Sequence, residues 1–397
     1  MPNSLEWIEG YLGVALLGAV SVPINTRYQT DEIGYLIEHA SLEAVLTIDT
    51  GDFVDLLRRT TPSADTVVLT DRDALSSIAA SVPVDDVLQA AHAVRLPDTA
   101  SLLYTSGTTA RPKGCVLSYS ALVGTGIARL EERRLDQEHF VVWTPCPLFH
   151  GGALLPLIGS IATGSTYVTT TKFDAAETLT LLERERVTNA VPLFPAFTDA
   201  LLDHPAFSTT DLSSVRDILT TGTPRGVAKA QAAFAPAKLL SAYGMTELCA
   251  VASTSPTDEP DDERLVWSGR PFEGIEIKVV DPDTGADLPH GQIGELVARG
   301  SCVFDRYHKD PAATAAAFDQ DGWFHTGDMG VAHPDGRIAF RGRYKDMLKV
   351  GGENVSALEV ETFLGGHEAV RRVEVVGAPD PRLDQVVAAF IELEPGA

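Results

Sequence analysis

The stretch Tyr104-Thr105-Ser106-Gly107-Thr108-Thr109-Ala110-Arg111-Pro112-Lys113-Gly114 gathers four Ser/Thr hydroxyls, two glycines and two cations directly after Leu102-Leu103. Glycines let backbone N–H groups turn inward, hydroxyls add donors and a lysine adds a point charge, which together make a cradle for phosphate oxygens. The order is not that of the common GxxxxGK[ST] loop, because Lys113 precedes Gly114. Taken alone, a solvated turn explains the stretch as well as a phosphate site does. Three further clusters could carry chemistry. Glu247 follows Thr246, and a carboxylate beside phosphate oxygens suits a hard cation. Asp328 ends Thr326-Gly327-Asp328 and is either a hydrogen-bond acceptor for a ligand or an ordinary turn cap. His150 stands between Phe149 and Gly151-Gly152, a ring with room to move or simply a packed one.

These groups need a frame. From about residue 40 to 255, short apolar runs alternate with helix-length amphipathic segments. Candidate strands are 44–48, 66–69, 101–105, 140–144, 165–170, 189–194, 214–221 and 238–244, with helices such as 175–185 and 195–203 between them. Such alternation predicts α/β layers with largely parallel sheets. The phosphate-type stretch is expected to run from a strand through the loop into a helix starting near Ser118. Residues 256–265, acidic and proline-containing, read as an exposed loop. A smaller β-rich subdomain over about 266–344 follows, with turn chemistry at 281–285 and 333–336. Beyond it come a helix through Leu364, with Ser356 and Glu359 in capping-box spacing, and two strands, 370–377 and 386–393, with no further element to cover them. The expected division is an N-terminal domain over 1–344 and a partial α+β C-terminal domain over 345–397.

The chain has 397 residues, enough for more than one lobe, and a formal charge of −24. That field opposes nucleic acid and anionic membrane, so an anionic ligand must be held by local cations. Cys115, Cys146, Cys249 and Cys302 form no CxxC pair and no metal-ligand spacing, which fits a reducing, cytoplasmic setting. Glu6 and Glu9 do not suit a secretory signal, and the apolar run Tyr11 to Pro23 is too short to span a bilayer.

The segment 104–114 resembles the signature of the adenylate-forming superfamily of acyl-CoA synthetases, luciferases and adenylation domains. Further matches arrive in the family's order: CPLFHGGAL (146–154), TTGTP (220–224), YGMTE (243–247), GELVARG (294–300), GWFHTGD (322–328) and GRYKDMLKVGGENVSALEVE (342–361). The resemblance implies a carboxylic acid, ATP, Mg²⁺ and coenzyme A. It would put Thr105, Ser106, Gly107, Thr108, Thr109 and Lys113 on the β- and γ-phosphates, although Ala110 stands where the family usually has Gly. Glu247 would bind the cation, with Thr246 beside the α-phosphate. Tyr243 and Gly244 on one side, and Gly222, Thr223 and Pro224 on the other, would enclose adenine. Asp328 and Arg343 would hold the ribose, His150 would gate the acyl pocket, and Lys345 would be the hinge residue before the Gly351-Gly352 loop. The acyl pocket would be lined by His150, Gly151, Phe194, Thr220, Thr221, Gly222, Met245 and Cys249.

The implied reaction is attack of a carboxylate on the α-phosphorus of ATP, then transfer of the acyl group to the thiol of coenzyme A. Charge must be neutralised where the transition state gathers it. The family's adenylation lysine lies near the C-terminus, yet no lysine follows Gly352. Both ends are therefore expected to be cut, and the 397-residue chain by itself is expected to adenylate slowly. Loading of a carrier protein in place of coenzyme A stays open, as does a homologue that only binds ATP or acyl-adenylate. The acid and a homodimeric assembly also stay open.

Overall fold

A computed structural model describes residues 1–48, 57, 65–69, 71–105, 111–134, 140–221, 224–350, 353–380 and 382–394. Its centre is a five-stranded parallel sheet in the order Thr166–Val168, Val141–Trp143, Asn189–Leu193, Asp217–Thr220, Lys238–Leu240. Strand side chains alternate between faces, and here both faces are apolar because helices cover both. Val141, Trp143, Ala190 and Ile218 pack on one side with Leu179, Leu182 and Leu201. Phe140, Val142, Val191, Leu219 and Leu240 pack on the other with Leu130. Each such aliphatic side chain contributes about 1.5–3 kcal/mol on full burial, so these two clusters anchor the layer.

The helices end where local chemistry says they should. Asp174 caps Ala175–Arg184 by accepting from Glu177 N, Pro195 opens Pro195–Leu202, and Gly164 at φ 66° closes Gly151–Thr163 in the left-handed region. The sequence reading of 256–265 needs correction in one respect. Asp261–Arg264 is a short helix, and Arg264 is fully buried, bonded to Asp261 at 2.7 Å and to Gln231 at 2.7 Å. A guanidinium with these partners is tolerated inside, where an unpaired one is not.

A second correction concerns the phosphate-type stretch. It does not run into a helix. Strand Thr99–Thr105 turns back as the antiparallel strand Lys113–Ser118, with Thr105 opposite Lys113, and only then does helix Tyr119–Arg134 begin. The apolar Cys115-Val116-Leu117 is buried between layers, which favours a strand over a helix start. Ser118 Oγ accepts from Ala121 N at 3.2 Å, so the helix N-terminus is occupied by its own cap, one strand-length from the loop.

The β-rich segment is a four-stranded antiparallel sheet in the order Ile275–Val280, Gly294–Gly300, Phe324–Ala332, Ile338–Arg343. One turn, Tyr344–Asp346, leads to a second four-stranded antiparallel sheet ordered Glu353–Ser356, Met347–Val350, Asp384–Leu393, Val370–Asp380. The last two strands are thus paired, and helix Ala357–Gly365 covers one face over Leu348, Val370, Val373 and Val375, contrary to the bare strands expected from sequence. The opposite face carries Val376 and Phe390, both exposed. This second sheet rests on helix Pro224–Phe234: Arg225 donates to the carbonyls of His367 and Val370 at 2.7 and 2.8 Å, and Arg371 meets Asp203 at 2.6 Å.

Candidate active site

A first cluster gathers at the C-terminal ends of the parallel strands. Leu193 ends its strand at φ 63°, which turns Phe194 outward and lets the Leu193 carbonyl accept from Thr221 N and Thr221 Oγ1 at 2.9 and 3.0 Å. Phe194 is 39% exposed, and its ring meets that of His150 edge-on at 5.5 Å. His150 is the N-cap of Gly151–Thr163: its Nδ1 accepts from Gly152 N at 3.0 Å. One edge of the ring is exposed while the remainder is walled by protein, and this desolvation pulls the imidazole below its ordinary value of 6.5. A neutral ring is what the cap requires, since Nδ1 must carry a lone pair. Gly151 faces Ala250 so closely that a Cβ would lie 2.8 Å from that of Ala250.

The chain from Tyr243 to Ala252 is a tight reversal. Cys249 and Ala250 hold φ 51° and 71°, and Ala250 N and Ala252 N return to the carbonyls of Met245 and Tyr243 at 2.8 Å each. Gly244 is demanded by packing, because a Cβ there would collide with the Ala250 carbonyl. The reversal sends Cys249 inward. It is 2% exposed within the main core cluster, and burial drives its thiol well up, so it does not line an acyl pocket as expected from sequence. Its neighbour Ala250 faces Gly151. Thr220 is also buried, its hydroxyl spent on Thr198 at 2.8 Å, whereas Thr221 is exposed and Met245 half-buried. Phe197, against Phe173 at 4.8 Å, joins the aromatic wall that the sequence suggested only through Phe194.

The same reversal plants Glu247 in the single turn Thr246–Leu248, with its carboxylate buried. Tyr307 Oη donates to Glu247 Oε1 at 2.9 Å, and Phe304 N donates to the Glu247 carbonyl at 2.8 Å. Tyr307 sits on the two-residue strand Arg306–Tyr307, paired with Lys113–Ser118, and Lys113 Nζ lies 4.8 Å from the centre of its ring. Burial, then the neighbouring Glu247, push the phenol up, so it stays a donor.

A third cluster lies across the β-rich sheet. Asp328 and Arg343 are opposite each other in register; Arg343 Nε meets Asp328 Oδ1 at 2.8 Å and Tyr243 Oη donates to Oδ2 at 3.0 Å. Burial pushes the Asp328 carboxyl above its ordinary 3.8; Arg343 and Tyr243 act against that, and Glu247 adds a smaller upward push through space. Asp328 is thus within electrostatic reach of Glu247. Phe340 takes one side of the Tyr243 ring at 6.2 Å, so an adenine can use only what remains of it.

Ser106, Gly107, Thr108, Thr109, Gly222 and Thr223 lie outside the described residues, as do Gly351 and Gly352. The loop's ends are described. Tyr104 Oη meets His39 Nδ1 at 2.7 Å, Tyr35 donates to the Pro112 carbonyl at 3.3 Å, and the Arg111 guanidinium lies 5.0 Å from the centre of the Tyr35 ring. Pro224 opens its helix beside Arg225, and Lys345 is exposed on the one-turn link between the two antiparallel sheets. Tyr307, Phe197 and His39 were not found by sequence reasoning; no motif spacing ties any of them to the site.

Among the described residues no three His, Cys, Asp or Glu side chains converge to cage a metal. One buried carboxylate, Glu247, does fit Mg²⁺, which takes one or two protein carboxylates and completes its shell with phosphate and water oxygens.

The buried Glu247–Tyr307 pair, the Asp328–Arg343–Tyr243 cluster and the His150–Phe194 pair sit on a mixed α/β frame, and comparison with known proteins places that frame among nucleotide-using ligases. The family model described as "AMP-binding enzyme" matches residues 1–308, and the chain belongs to that family. The chain is 30% identical to "Putative acyl-CoA synthetase YngI" of Bacillus subtilis, over 99% of this chain and 77% of that protein. It is 32% identical to "4-coumarate--CoA ligase 5" of Oryza sativa subsp. japonica, over 100% of this chain and 75% of that one. Among solved structures, ATP-bound MatB from Rhodopseudomonas palustris superposes with a TM-score of 0.88 at 28% identity, covering 100% of this chain and 78% of that chain.

Proposed function

We propose that this chain is an AMP-forming acid–thiol ligase: it activates a carboxylic acid with ATP to an acyl-adenylate, then passes the acyl group to coenzyme A. The family and the relatives, which are named as CoA ligases, support the reaction class. The observation that carries the residue roles is a pair of buried carboxylates from separate parts of the chain, Asp328 on a strand and Glu247 in a single turn, each held by a tyrosine hydroxyl. Asp328 accepts the ribose hydroxyls while Arg343 keeps it oriented. Lys113 and the hydroxyls at 105–109 hold the terminal phosphates, and Thr246 lies beside the α-phosphate. Mg²⁺ on Glu247 supplies charge neutralisation to the phosphate oxygens. Tyr243, Gly244 and the 222–224 segment enclose the base. His150, Gly151, Phe194, Thr221 and Met245 shape the acyl cleft, which among its described residues carries no cation, so an uncharged acyl tail is favoured.

The division into units at 344/345 makes Lys345 the pivot about which the C-terminal sheet turns between the two half-reactions. A cytoplasmic setting accords with four buried free cysteines and with the lack, among the described residues, of a helix long and apolar enough to cross a membrane.

The test is a panel of aliphatic and aromatic acids with ATP and either coenzyme A or a phosphopantetheinyl carrier protein, reading AMP and the acyl-thiol product. Acyl-CoA and AMP in equal amounts are expected. Product on the carrier protein alone would overturn the choice of thiol, and ATP binding with no AMP from any acid would overturn turnover itself.

A further inference from the structure

We infer that Tyr307 is a positioning residue for the nucleotide: its hydroxyl aims the Glu247 carboxylate at the cation while its ring seats Lys113. This rests on the reading of Glu247 as the cation ligand. Glu247 Oε1 accepts from Tyr307 Oη at 2.9 Å in a residue only 7% exposed; a second side chain bonded to Glu247, the Cys115 thiol, is a weaker donor than the phenol. A carboxylate with one oxygen committed to a phenol presents the other in a fixed direction, which suits an ion that accepts only near-ideal octahedral geometry. The opposite requirement, a cation that reaches phosphate without pairing to that same carboxylate, is met by the ring. Lys113 Nζ lies 4.8 Å from the ring centre, where the π-face holds an ammonium without neutralising it. Tyr307 therefore stands between a negative group and a positive one that would otherwise collapse into a salt bridge.

The strut is itself fastened. Tyr307 pairs with Cys115 in the strand that leaves the loop, His308 N donates to the Gly114 carbonyl at 2.8 Å, and His308 Nε2 meets the His39 carbonyl oxygen at 3.2 Å. Phe304, on the same segment, packs on Tyr307 with ring centres 4.6 Å apart and donates its N–H to the Glu247 carbonyl. The 304–308 segment thus holds both the backbone and the side chain of Glu247 and is bonded to the strand that leaves the loop.

The experiment measures ATP binding by titration calorimetry across a Mg²⁺ series and in EDTA, for the 397-residue chain and for Y307F, Y307L and E247Q, with thermal melts alongside. Y307F keeps the ring and its Phe304 contact; it is expected to raise the Mg²⁺ concentration for half-maximal ATP binding roughly tenfold, with binding in EDTA and the melting temperature little changed. Y307L is expected to show the same Mg²⁺ shift and, in addition, weaker ATP binding in EDTA, because Lys113 has lost its seat. A melting temperature that falls in Y307F with no Mg²⁺ shift assigns Tyr307 to packing and overturns the inference, provided E247Q does shift. An E247Q variant with unaltered Mg²⁺ dependence overturns the cation reading of Glu247, and the inference falls with it.

Discussion

The clusters proposed for the nucleotide and for the acyl group are built by opposite means. On the nucleotide side, Asp328 and Glu247 are buried, and each is held by a tyrosine hydroxyl at 3.0 and 2.9 Å from a different stretch of chain. On the acyl side, His150 and Phe194 are exposed, and they are aimed by backbone: a helix cap for one, the φ 63° of Leu193 for the other. The difference teaches which part of a substrate demands preorganised charge. ATP is the same in every turnover, so buried dipoles and charges can be fixed for it, and in a low-dielectric site they act strongly. An acyl tail is recognised by shape, which loops adjust without disturbing a polar network.

If this contrast is right, the largest effect comes from its charged half. D328A leaves the partly exposed Arg343 without its 2.8 Å partner and removes the carboxylate proposed for the ribose; hydrogen bonds to a charged group are worth about 1.5–3 kcal/mol, so kcat/KM for ATP should fall about 10–10²-fold with KM for the acid little altered. Steady-state kinetics with each substrate varied in turn read this; an equal rise in the KM for acid would erase the contrast.

Next in size is the reversal shared by both halves. G244A puts a methyl into the Ala250 carbonyl, and overpacking of this kind costs about 1–3 kcal/mol, seen as a melting temperature lower by several degrees. An unchanged melt would mean that the 243–252 turn gives way readily, and the placement of Glu247 would then be less rigid than argued.

On the acyl side, F194A should raise KM for the acid about three- to tenfold and leave ATP binding alone, since a partly exposed ring loses only part of its burial energy. Loss of ATP affinity in this variant would show that the halves are coupled.

The smallest effect is a pH dependence. The folded-state value of His150 is lowered, so its contribution is intact above 6.5 and is lost as pH falls through the folded value, where protonation of Nδ1 breaks the cap to Gly152 N. His39 and His308 are lowered as well, so the decisive variant is H150N, which caps without titrating. A modest acid-side loss of acyl transfer, about twofold over one pH unit, should shrink in H150N; an identical profile would assign the limb elsewhere.

Local chemistry was readable along the chain. Apolar runs placed the parallel strands, Ser356 with Glu359 marked a helix start, and ordered motifs pointed to Glu247, Asp328 and Arg343. These signals are legible because capping, alternation and turn residues act over a few neighbouring positions. Three features were not. The strand Lys113–Ser118 stands between the loop and the helix that begins, as expected, next to Ser118; its apolar run is short, and only burial between layers makes it a strand. Cys249 turned from cleft to core through positive φ values at 249 and 250 that neither residue type announces. Tyr307 reached Glu247 across 60 positions, and Tyr243 reached Asp328 across 85. Contacts of that separation leave no periodicity in sequence; they exist because separate sheets pack at one place, and a buried carboxylate there must find its donor wherever the fold brings one.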